Sequence, residues 1–391
     1  MALFVRLLAV FLFAASPPIC GQDLLEKARG MQAQVIGIDS HNDTLQRILI
    51  EHADIGKHLP DGQVDLPRLR EGGIHAPFFA LWAPTYYKDS EAVRRTLELR
   101  DAMQTVFDKY PDQIELATTA SDVERIIKQK KIAVVLTVEG GHQIASDLAV
   151  LRMYDRLGIR SMTLTHFRNT DWADSSTDNP AHNGLTEFGK EVVREMNRIG
   201  MIIDVSHVSD KTFYDVLEAT RKPVIASHSS CRALCDVPRN MSDDMLRALA
   251  RNGGVVGINF GARFLNPKDA QGFEQNIAQM GATEPKLQGR MLDEFAAKDY
   301  FTRNWSHAGI GAATVEDAAA HIDHVAKIAG IDHVGIGSDW DGIDRVPRGL
   351  EDVSKMSALT AALLKRSYSE ADIKKIMGEN FLRVMREVVG R

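Results

Sequence analysis

Short apolar runs recur along the chain and alternate with longer segments in which apolar residues return at helical spacing. Eight of the runs have the length of a strand, and several end at a polar residue. They cover residues 35–38, 75–82, 132–138, 161–165, 201–205, 224–227, 255–260 and 334–337. Between them, the apolar positions in residues 90–110 and 185–199 predict amphipathic helices. Gly200 is a predicted helix stop, and Ser209 is a predicted cap for the next helix.

This alternation predicts parallel strands joined by right-handed crossovers. Eight such units favour a closed (β/α)8 TIM-like barrel, whose active site lies at the C-terminal ends of the strands. A doubly wound open sheet is the alternative, but the GxGxxG turn typical of it does not follow the first strand. Residues 45–73 and 261–312 fit the repeat poorly, and we expect long loops there. They are assigned to the same single domain, residues 22–391.

The composition of the 391-residue chain is that of an ordinary globular protein, with 44% hydrophobic and 26% charged residues. A formal net charge of -6 and the lack of a long Lys/Arg run argue against nucleic-acid binding. Cys231 and Cys235 are interpreted as buried or free thiols, because a disulfide between residues four apart on a helix is geometrically awkward.

The first residues have the anatomy of a secretory signal peptide, since Arg6 precedes a short apolar core that small residues and prolines follow. We assign this peptide to residues 1–21, with an approximate end, and expect export to the periplasm or the extracellular space. Its apolar core is too short to span a bilayer comfortably. No other segment resembles a membrane span, and the charged C-terminal segment lacks the apolar tail of a GPI-anchored protein.

Residues capable of metal binding and acid–base chemistry follow most of the predicted strands. In chain order they are His41, Asp43, Glu139, His166, His207, His228 and Asp339. In a barrel these strand ends meet at one mouth. Each histidine taken singly is more often a structural, hydrogen-bonded residue than a ligand. Together, the acids and imidazoles would be costly to bury unless cations balanced the acids, which predicts zinc or a similar divalent ion.

A carboxylate such as that of Glu139 can bridge two ions. Two ions about 3.5 to 4 Å apart can hold a shared hydroxide and polarise a carbonyl. His142 follows Glu139 closely and is a candidate to orient it. The other histidines fall in loops, on predicted helices or at strand starts, where a packed or solvated role is the default. They are His52, His58, His75, His182, His307, His321, His324 and His333.

Six segments in chain order carry a resemblance to a known family. They are IDSHNDTL, TVEGGH, LTHFRNTDWAD, IDVSHVSD, ASHSSCRALCDVPRN, and VGIGSDWDGI with the GLEDVSK that follows it. They resemble the membrane (renal-type) dipeptidase family of zinc peptidases, a branch of the amidohydrolase-like barrels, from about residue 36 to residue 380. The resemblance implies a (β/α)8 barrel with two zinc ions per chain and a homodimer. It also implies hydrolysis of dipeptides, with tolerance of a D-residue at the C-terminal position.

The resemblance also implies a role for each matching residue. His41, Asp43 and Glu139 would hold the first zinc ion. Glu139, His207 and His228 would hold the second, so that Glu139 bridges the pair.

Three further residues match positions that act on the substrate in this family. His166 resembles the histidine that contacts the substrate carbonyl and steadies the tetrahedral oxyanion. Arg239, in DVPRN, resembles the arginine that pairs with the free carboxylate of the dipeptide. Asp339 resembles the aspartate that shuttles a proton from the attacking, metal-bridging hydroxide to the leaving amine. The FRNTD segment that follows His166 differs from the sequence that is more common at this place in the family.

Two other functions remain open at this point. A related binuclear-metal hydrolase would open another amide, a lactone, a β-lactam ring or a phosphoester, although Arg239 and the residues around it argue against a phosphoester. A binding protein with the same fold would have lost a ligand or the proton shuttle, and none of these residues is missing.

Overall fold

Parallel strands form a barrel in the computed structural model of the chain, which describes residues 21–283 and 309–390. The strands are β1 (Gly37–Asn42), β2 (Ile74–Trp82), β3 (Ile114–Leu116), β4 (Ile132–Glu139), β5 (Ile159–Thr163), β6 (Ile202–Asp204), β7 (Ile225–Ala226), β8 (Val255–Ile258), β9 (Gly309–Thr314), β10 (Val334–Ile336) and β11 (Arg345–Arg348). Eight of them are hydrogen-bonded in the order β1-β2-β4-β5-β6-β7-β8-β10. β3 pairs with β4 at the margin of this sheet, and β9 and β11 form a separate pair.

Main-chain hydrogen bonds just beyond β10 connect the last barrel strand to the first. Asp339 N donates to His41 O at 3.0 Å, and Asp43 N donates to Trp340 O at 2.9 Å. The eight-stranded parallel barrel is therefore nearly closed, and the predicted (β/α)8 architecture is confirmed. The same two bonds place Asp339 beside the end of β1, although the two segments are far apart in the sequence.

Helices lie between the strands in the chain and pack through buried apolar faces. They are α1 (Gly21–Gln32), α2 (Thr44–Ile50), α3 (Leu66–Gly72), α4 (Ser90–Lys109), α5 (Ala120–Lys128), α6 (Leu148–Arg156), α7 (Glu187–Ile199), α8 (Asp210–Ala219), α9 (Asp243–Asn252), α10 (Ala262–Leu265), α11 (Pro267–Thr283), α12 (Val315–Ile328), α13 (Met356–Lys365), α14 (Glu370–Lys374) and α15 (Asn380–Val388). Short 3-10 turns cover Gly141–Ile144, Ile331–His333 and Val353–Lys355, and a π turn covers Lys375–Glu379.

Local sequence signals account for the ends of the predicted helices. Helix α7 begins after Thr186, whose side chain accepts a hydrogen bond from Gly189 N, and it ends at Gly200 with φ 78°. That left-handed conformation is the one that glycine adopts without strain. Ser209 caps α8 by accepting from Thr212 N. The predicted helix stop and the predicted cap are both confirmed.

Apolar side chains fill the N-terminal end of the barrel, opposite the predicted site. Ile38, Phe78 and Val135 belong to one buried cluster with Phe381 and Met385 of α15. The ring centroids of Phe78 and Phe381 are 6.5 Å apart. Because this end is packed with hydrocarbon, the buried polar residues of the strands are collected at the other end.

The boundary predicted for the first strand was too short. β1 continues through Asn42 instead of ending at residue 38, so Asp39 and His41 lie within the strand. All six of its residues are buried, including the polar ones. Polar side chains in the second half of β1 hid the strand from a search for apolar runs.

Residues 45–73 were predicted as a loop but contain most of α2 and all of α3. Asp65 caps α3 by accepting from Arg68 N at 2.8 Å, and Gly73 ends it with φ 67°. The prediction was wrong because helices of seven residues are shorter than the window in which helical spacing can be recognised. Residues 261–312 contain α10, α11 and the start of β9, while residues 284–308 lie outside the described residues.

The predicted signal peptide lies outside the described residues except for Gly21, where α1 begins. Across residues 21–283 and 309–390, no helix is both long enough and apolar enough to cross a membrane. Cys231 and Cys235 are buried free thiols, as predicted.

Candidate metal centre

A pocket of about 430 Å³ opens at the C-terminal ends of the barrel strands, and six of the predicted site residues line it. These six are Asp43, Glu139, His166, His207, Arg239 and Asp339. The other two, His41 and His228, are buried and contact Glu139. The structure therefore brings together all of the residues that the sequence assigned to the site.

The two carboxylate oxygens of Glu139, at the end of β4, face different histidines. Oε2 lies 3.4 Å from Nε2 of His41. Oε1 lies 3.1 Å from Nε2 of His207 and 3.3 Å from Nε2 of His228. Asp43 lies on the His41 side, with its Oδ2 3.6 Å from the same imidazole nitrogen. Each oxygen of this carboxylate therefore faces a different group of side chains that could hold an ion, as a residue that bridges two ions would require.

Several buried polar atoms of the site have no hydrogen-bond partner among the described residues. They are Nδ1 and Nε2 of His41, Oδ1 of Asp43 and Nδ1 of His207. Buried polar groups in folded proteins are nearly always hydrogen-bonded, so these atoms indicate a missing partner. Imidazole nitrogen and carboxylate oxygen are donors that suit zinc and similar divalent ions. The residues therefore fit the metal that the sequence predicted.

Three overlapping groups of side chains are compact enough to hold an ion, with ligand atoms within 4.8 Å of one another. They are His41 with Glu139 and His228, Glu139 with His166 and His207, and His41 with Asp43 and Asp339. Glu139 belongs to two groups and His41 to two, so the groups describe one continuous centre. The role of each side chain in this centre depends on the hydrogen bonds that its other polar atoms form.

The surroundings of the site shift the pKa values of its histidines in opposite directions. They favour neutral imidazoles at His207 and His228 and a positive charge at His41. Nε2 of His207 and Nε2 of His228 are only 2.9 Å apart. Burial, and then nearby positive side chains, place the pKa of both histidines well below the usual value. Burial also lowers the pKa of His41, but the carboxylate of Glu139 and its neighbours raise it well above the usual value. The carboxylates thus attract a cation, while His207 and His228 are in the form that binds metal.

Backbone strain is concentrated at two residues of the site. His207 has φ 67° and Asp339 has φ 63°, both in the left-handed region that residues with side chains seldom adopt. Strained backbone of this kind persists where the surrounding structure fixes it, and it is frequent at functional sites. Here it directs both side chains into the pocket that they line.

The imidazole of His228 is oriented by a hydroxyl behind it. The Ser227 hydroxyl donates to Oδ2 of Asp204 at 2.5 Å and lies 2.8 Å from Nδ1 of His228. Asp204 acts as an acceptor throughout, because its Oδ1 accepts from the backbone N–H groups of Ser206 and Ser227. Since the hydroxyl proton is committed to Asp204, Ser227 accepts from Nδ1–H of His228. The lone pair of His228 is then on Nε2, which faces Glu139.

We expect Ser227→Ala to weaken metal binding about 10- to 100-fold, the usual cost of removing a group that orients a ligand. The affinity is measured by competition with a chelator of known strength. Ser161→Ala is the matched control, since the Ser161 hydroxyl is buried and has no hydrogen-bond partner among the described residues. Unchanged affinity in Ser227→Ala would contradict the orienting role.

His166 is positioned as a hydrogen-bond donor to the pocket. Trp82, the last residue of β2, donates from Nε1 to Nδ1 of His166 at 3.0 Å. Because an indole N–H only donates, Nδ1 accepts, and the proton of the neutral imidazole lies on Nε2. Burial lowers the pKa of His166 well below the usual value, which keeps the ring neutral. An Nε2–H group offers no lone pair to an ion, so this geometry favours substrate contact over metal binding.

Asp339 follows β10 and is held by an amide from the neighbouring strand end. Asn259 Oδ1 accepts from Gly261 N at 2.6 Å, which leaves its Nδ2 to donate to Oδ2 of Asp339 at 2.8 Å. Burial, followed by the nearby carboxylate of Asp43, raises the pKa of Asp339 to about 7. A carboxyl group with a pKa near neutrality can both accept and donate a proton during turnover. A Cβ at Gly342 would lie 2.0 Å from Oδ2 of Asp43 and 2.8 Å from Oδ1 of Asp339, so a side chain at this position would displace both carboxylates.

Arg239 supplies positive charge at the rim of the same pocket. Its Nη2 donates to the carbonyl oxygen of His228 at 3.0 Å, and its Nη1 lies 3.5 Å from Oγ of Ser229. Its Nε has no hydrogen-bond partner among the described residues. Burial is the main cause that lowers the pKa of Arg239 to about 10, so the group still carries its charge at neutral pH. The guanidinium is thus fixed in place with donors to spare for an anion.

Comparison with known proteins decides the family. The family model described as membrane dipeptidase, peptidase family M19, matches residues 25–390. This chain belongs to the membrane dipeptidase family. It is therefore a metallo-dipeptidase, and the resemblance drawn from the six sequence segments is confirmed.

Two curated relatives with similar sequences come from a mammal and a fungus. Over 375 residues the chain is 36% identical to Dipeptidase 3 of Rattus norvegicus, a match that covers 93% of this chain and 67% of that protein. Over 336 residues it is 38% identical to Dipeptidase tcpJ of Claviceps purpurea (strain 20.1), covering 84% of this chain and 69% of that protein.

Solved structures agree with the fold. The probable dipeptidase PvdM from Pseudomonas aeruginosa has a TM-score of 0.82 at 28% identity, over 94% of this chain and 98% of that chain. A metallo peptidase from Rhodobacter sphaeroides, liganded with a phosphinate mimic of the dipeptide L-Ala-D-Ala, has a TM-score of 0.75 at 25% identity. That match covers 90% of this chain and 99% of the other.

Sequence reasoning missed the residues behind this dipeptidase site. Trp82, Ser227 and Asn259 each stand at or near the end of a predicted strand, the signal that identified the other site residues. Trp82 was passed over because it is not a metal or acid–base group. The suggestion that His142 orients Glu139 is not supported, since its Nε2 lies 3.0 Å from Ala83 O.

Proposed function

We propose that this dipeptidase binds two zinc ions, one held by His41, Asp43 and Glu139 and the other by Glu139, His207 and His228. The division of the two Glu139 oxygens between the His41 side and the His207–His228 side carries this proposal. When bound, the ions supply Lewis acidity that polarises the substrate carbonyl and makes water a nucleophile at neutral pH.

The substrate carbonyl oxygen is placed against Nε2–H of His166. This donor is fixed by Trp82 and therefore meets the developing negative charge without reorganisation. Asp339 accepts the proton of the attacking water and delivers it to the leaving nitrogen, a task that its raised pKa supports. Asn259 holds the carboxyl group in place for both transfers.

Arg239 pairs with the free carboxylate of the substrate, because a planar guanidinium forms two parallel hydrogen bonds to a carboxylate. Arg239 and Glu139 line the same pocket of about 430 Å³, and we expect one residue to fit between the scissile bond and the guanidinium. This explains a preference for dipeptides over longer peptides.

Tolerance of a D-residue at the C-terminal position is part of the proposal, and the L-Ala-D-Ala mimic bound by the Rhodobacter sphaeroides relative supports it. Export through residues 1–21 and a homodimer stay predictions.

The test is to strip the protein of metal, add back Zn²⁺ in steps and assay L,L and L,D dipeptides. We expect no hydrolysis without metal, activity that saturates at two Zn²⁺ per chain, and turnover of both series. The metal content is measured by elemental analysis of the same samples. Activity that is complete at one ion per chain would overturn the binuclear site. Hydrolysis of lactones or β-lactams with dipeptides untouched would favour the related hydrolases instead.

A further inference from the structure

A second arginine, Arg263 of α10, lies beside the metal centre and was assigned no role by the sequence. Its side chain lines the 430 Å³ pocket together with Glu139, His166 and Arg239. It also lines a larger adjoining pocket of about 1420 Å³. Arg239, Arg263, Phe167 and Phe264 line both pockets, so they form the wall between them. A substrate that extends from the centre into the larger pocket passes these two cations.

The guanidinium of Arg263 is nearly buried, and the described part of the chain supplies no polar partner for it. The residue is 9% exposed. Its side chain forms no hydrogen bond or ion pair with residues 23–275 or 309–390. Asp269 accepts from Ala312 N and Ala313 N, and Glu274, which lines the larger pocket, is exposed. A buried charge without a counterion is costly, which indicates that an anion completes this site.

Two aromatic rings lie against this guanidinium. Its Cζ lies 3.9 Å from the ring centroid of Phe273 and 4.7 Å from that of Phe264. Cation–π contacts with the two rings offset part of the cost of desolvating the charge. The five N–H donors of a guanidinium lie in its plane, where stacked rings do not reach. Arg263 is thus packed against two rings while its N–H donors remain unused by the described residues.

Arg239 and Arg263 are close neighbours. The Cζ of Arg239 lies 5.6 Å from the centroid of the Phe264 ring that Arg263 also contacts. The positive charge of Arg263 contributes to lowering the pKa of both Arg239 and His166. Two like charges at one ring repel each other, and two carboxylates on one ligand would relieve this repulsion. A dipeptide whose C-terminal residue is acidic carries two carboxylates on that one residue.

We propose that Arg263 is a specificity-determining residue that binds the side-chain carboxylate of a C-terminal aspartate or glutamate, beside the α-carboxylate on Arg239. This inference rests on the proposed function and names its substrate class. The acidic side chain lies between the two pockets and contacts the wall that separates them. A dipeptide with a neutral isostere at the C-terminal position leaves Arg263 buried and unpaired. Its kcat/KM is therefore lower than that of the acidic dipeptide.

The experiment compares kcat/KM for Ala-Glu and Ala-Gln, and for Ala-Asp and Ala-Asn, in the zinc-loaded enzyme. We expect the wild type to prefer each acid over its amide about 10- to 100-fold. Arg263→Met, which keeps the length and the stacking but removes the charge, should bring that ratio close to one by lowering the rates for the acids. Arg239→Met is the matched control. It should lower kcat/KM for the acids and for the amides by the same factor, because both carry the α-carboxylate.

A second readout uses the metal-free protein and the free products. Calorimetry should find glutamate bound more tightly than glutamine by the wild type and equally by Arg263→Met. If Arg263→Met does not fold, Arg263→Gln and the charge-preserving Arg263→Lys replace it, and the lysine variant should keep part of the preference. Equal kcat/KM values for acid and amide in the wild type would overturn the proposal. An equal fall in kcat/KM for both substrates in Arg263→Met would also overturn it. Failure to cleave any dipeptide would instead refute the proposed function, and the product binding would then decide on Arg263.

Discussion

Glu139→Gln is expected to abolish metal binding and to reduce dipeptide hydrolysis by more than about 100-fold, beyond the usual cost of losing an outer partner of a ligand. The substitution keeps the shape of the side chain but replaces one of the two oxygens that face His41 and His207 with an amide nitrogen. It also removes a negative charge that balances the cations. Metal content by elemental analysis and kcat/KM on the same preparation measure the effect. A variant that keeps two ions per chain and full activity would defeat the bridging role.

Stability measurements separate loss of metal from loss of folding. Burial is the main cause that raises the pKa of Glu139, so its ionised form costs stability, and that cost grows as the pH rises through the folded-state pKa. Glutamine removes this cost, and the metal-free variant should melt no lower at neutral pH than the metal-free wild type. What it should lose is the rise in Tm that metal gives the wild type. Glu139→Asp keeps the charge but is one methylene shorter, so it should bind metal weakly.

The site was readable from the sequence because a parallel barrel converts positions in the sequence into positions in space. Every strand runs in the same direction, so a residue that ends a strand lies at the same mouth as the ends of the other strands. His41, Glu139 and His228 come from separate strands along the chain, yet all three meet through the two oxygens of Glu139. Reading the strand ends required no knowledge of side-chain packing.

The supporting contacts could not be read in the same way. Trp82 and His166 are 84 residues apart, and their hydrogen bond depends on the orientation of both rings. Arg263 follows a strand end, but nothing in the sequence indicates that Phe264 and Phe273 lie against it and that no described acid pairs with it. Such contacts depend on side-chain conformation and on the packing of neighbouring elements. The periodicity of a segment contains no information about either.

Short elements escaped the sequence for a related reason. β3 has three residues and β11 has four, and each is fixed by pairing with another strand. Strand propensity depends strongly on such context, so an isolated run of this length carries little signal. α3 nevertheless has a readable start, since Asp65 caps it and a proline stands in its first turn.

Asp339→Asn is expected to retain both metal ions while kcat falls about 100- to 10 000-fold, the range for loss of a positioned acid–base group. Asparagine accepts the left-handed backbone at this position, where φ is 63°, and an amide cannot carry the proton. Its oxygen still accepts from Asn259, so the side chain should remain in place. The measurements are metal content, KM and kcat across pH, and the limb of the wild-type pH profile that Asp339 contributes should disappear.

Asp341→Asn is the matched control, because Asp341 is also buried and also has a left-handed backbone, with φ 62°. Its carboxylate accepts from Thr44 Oγ1 at 2.8 Å and from Gln63 N at 2.7 Å, and it does not line the pocket. This variant should lose about 1 to 3 kcal/mol of stability through the weakened hydrogen bonds and keep kcat in its folded fraction. If Asp339→Asn instead loses metal together with turnover, Asp339 is a ligand, in line with its place beside His41 and Asp43. The proton transfer would then need another group, because His166 already donates its only proton to the substrate carbonyl.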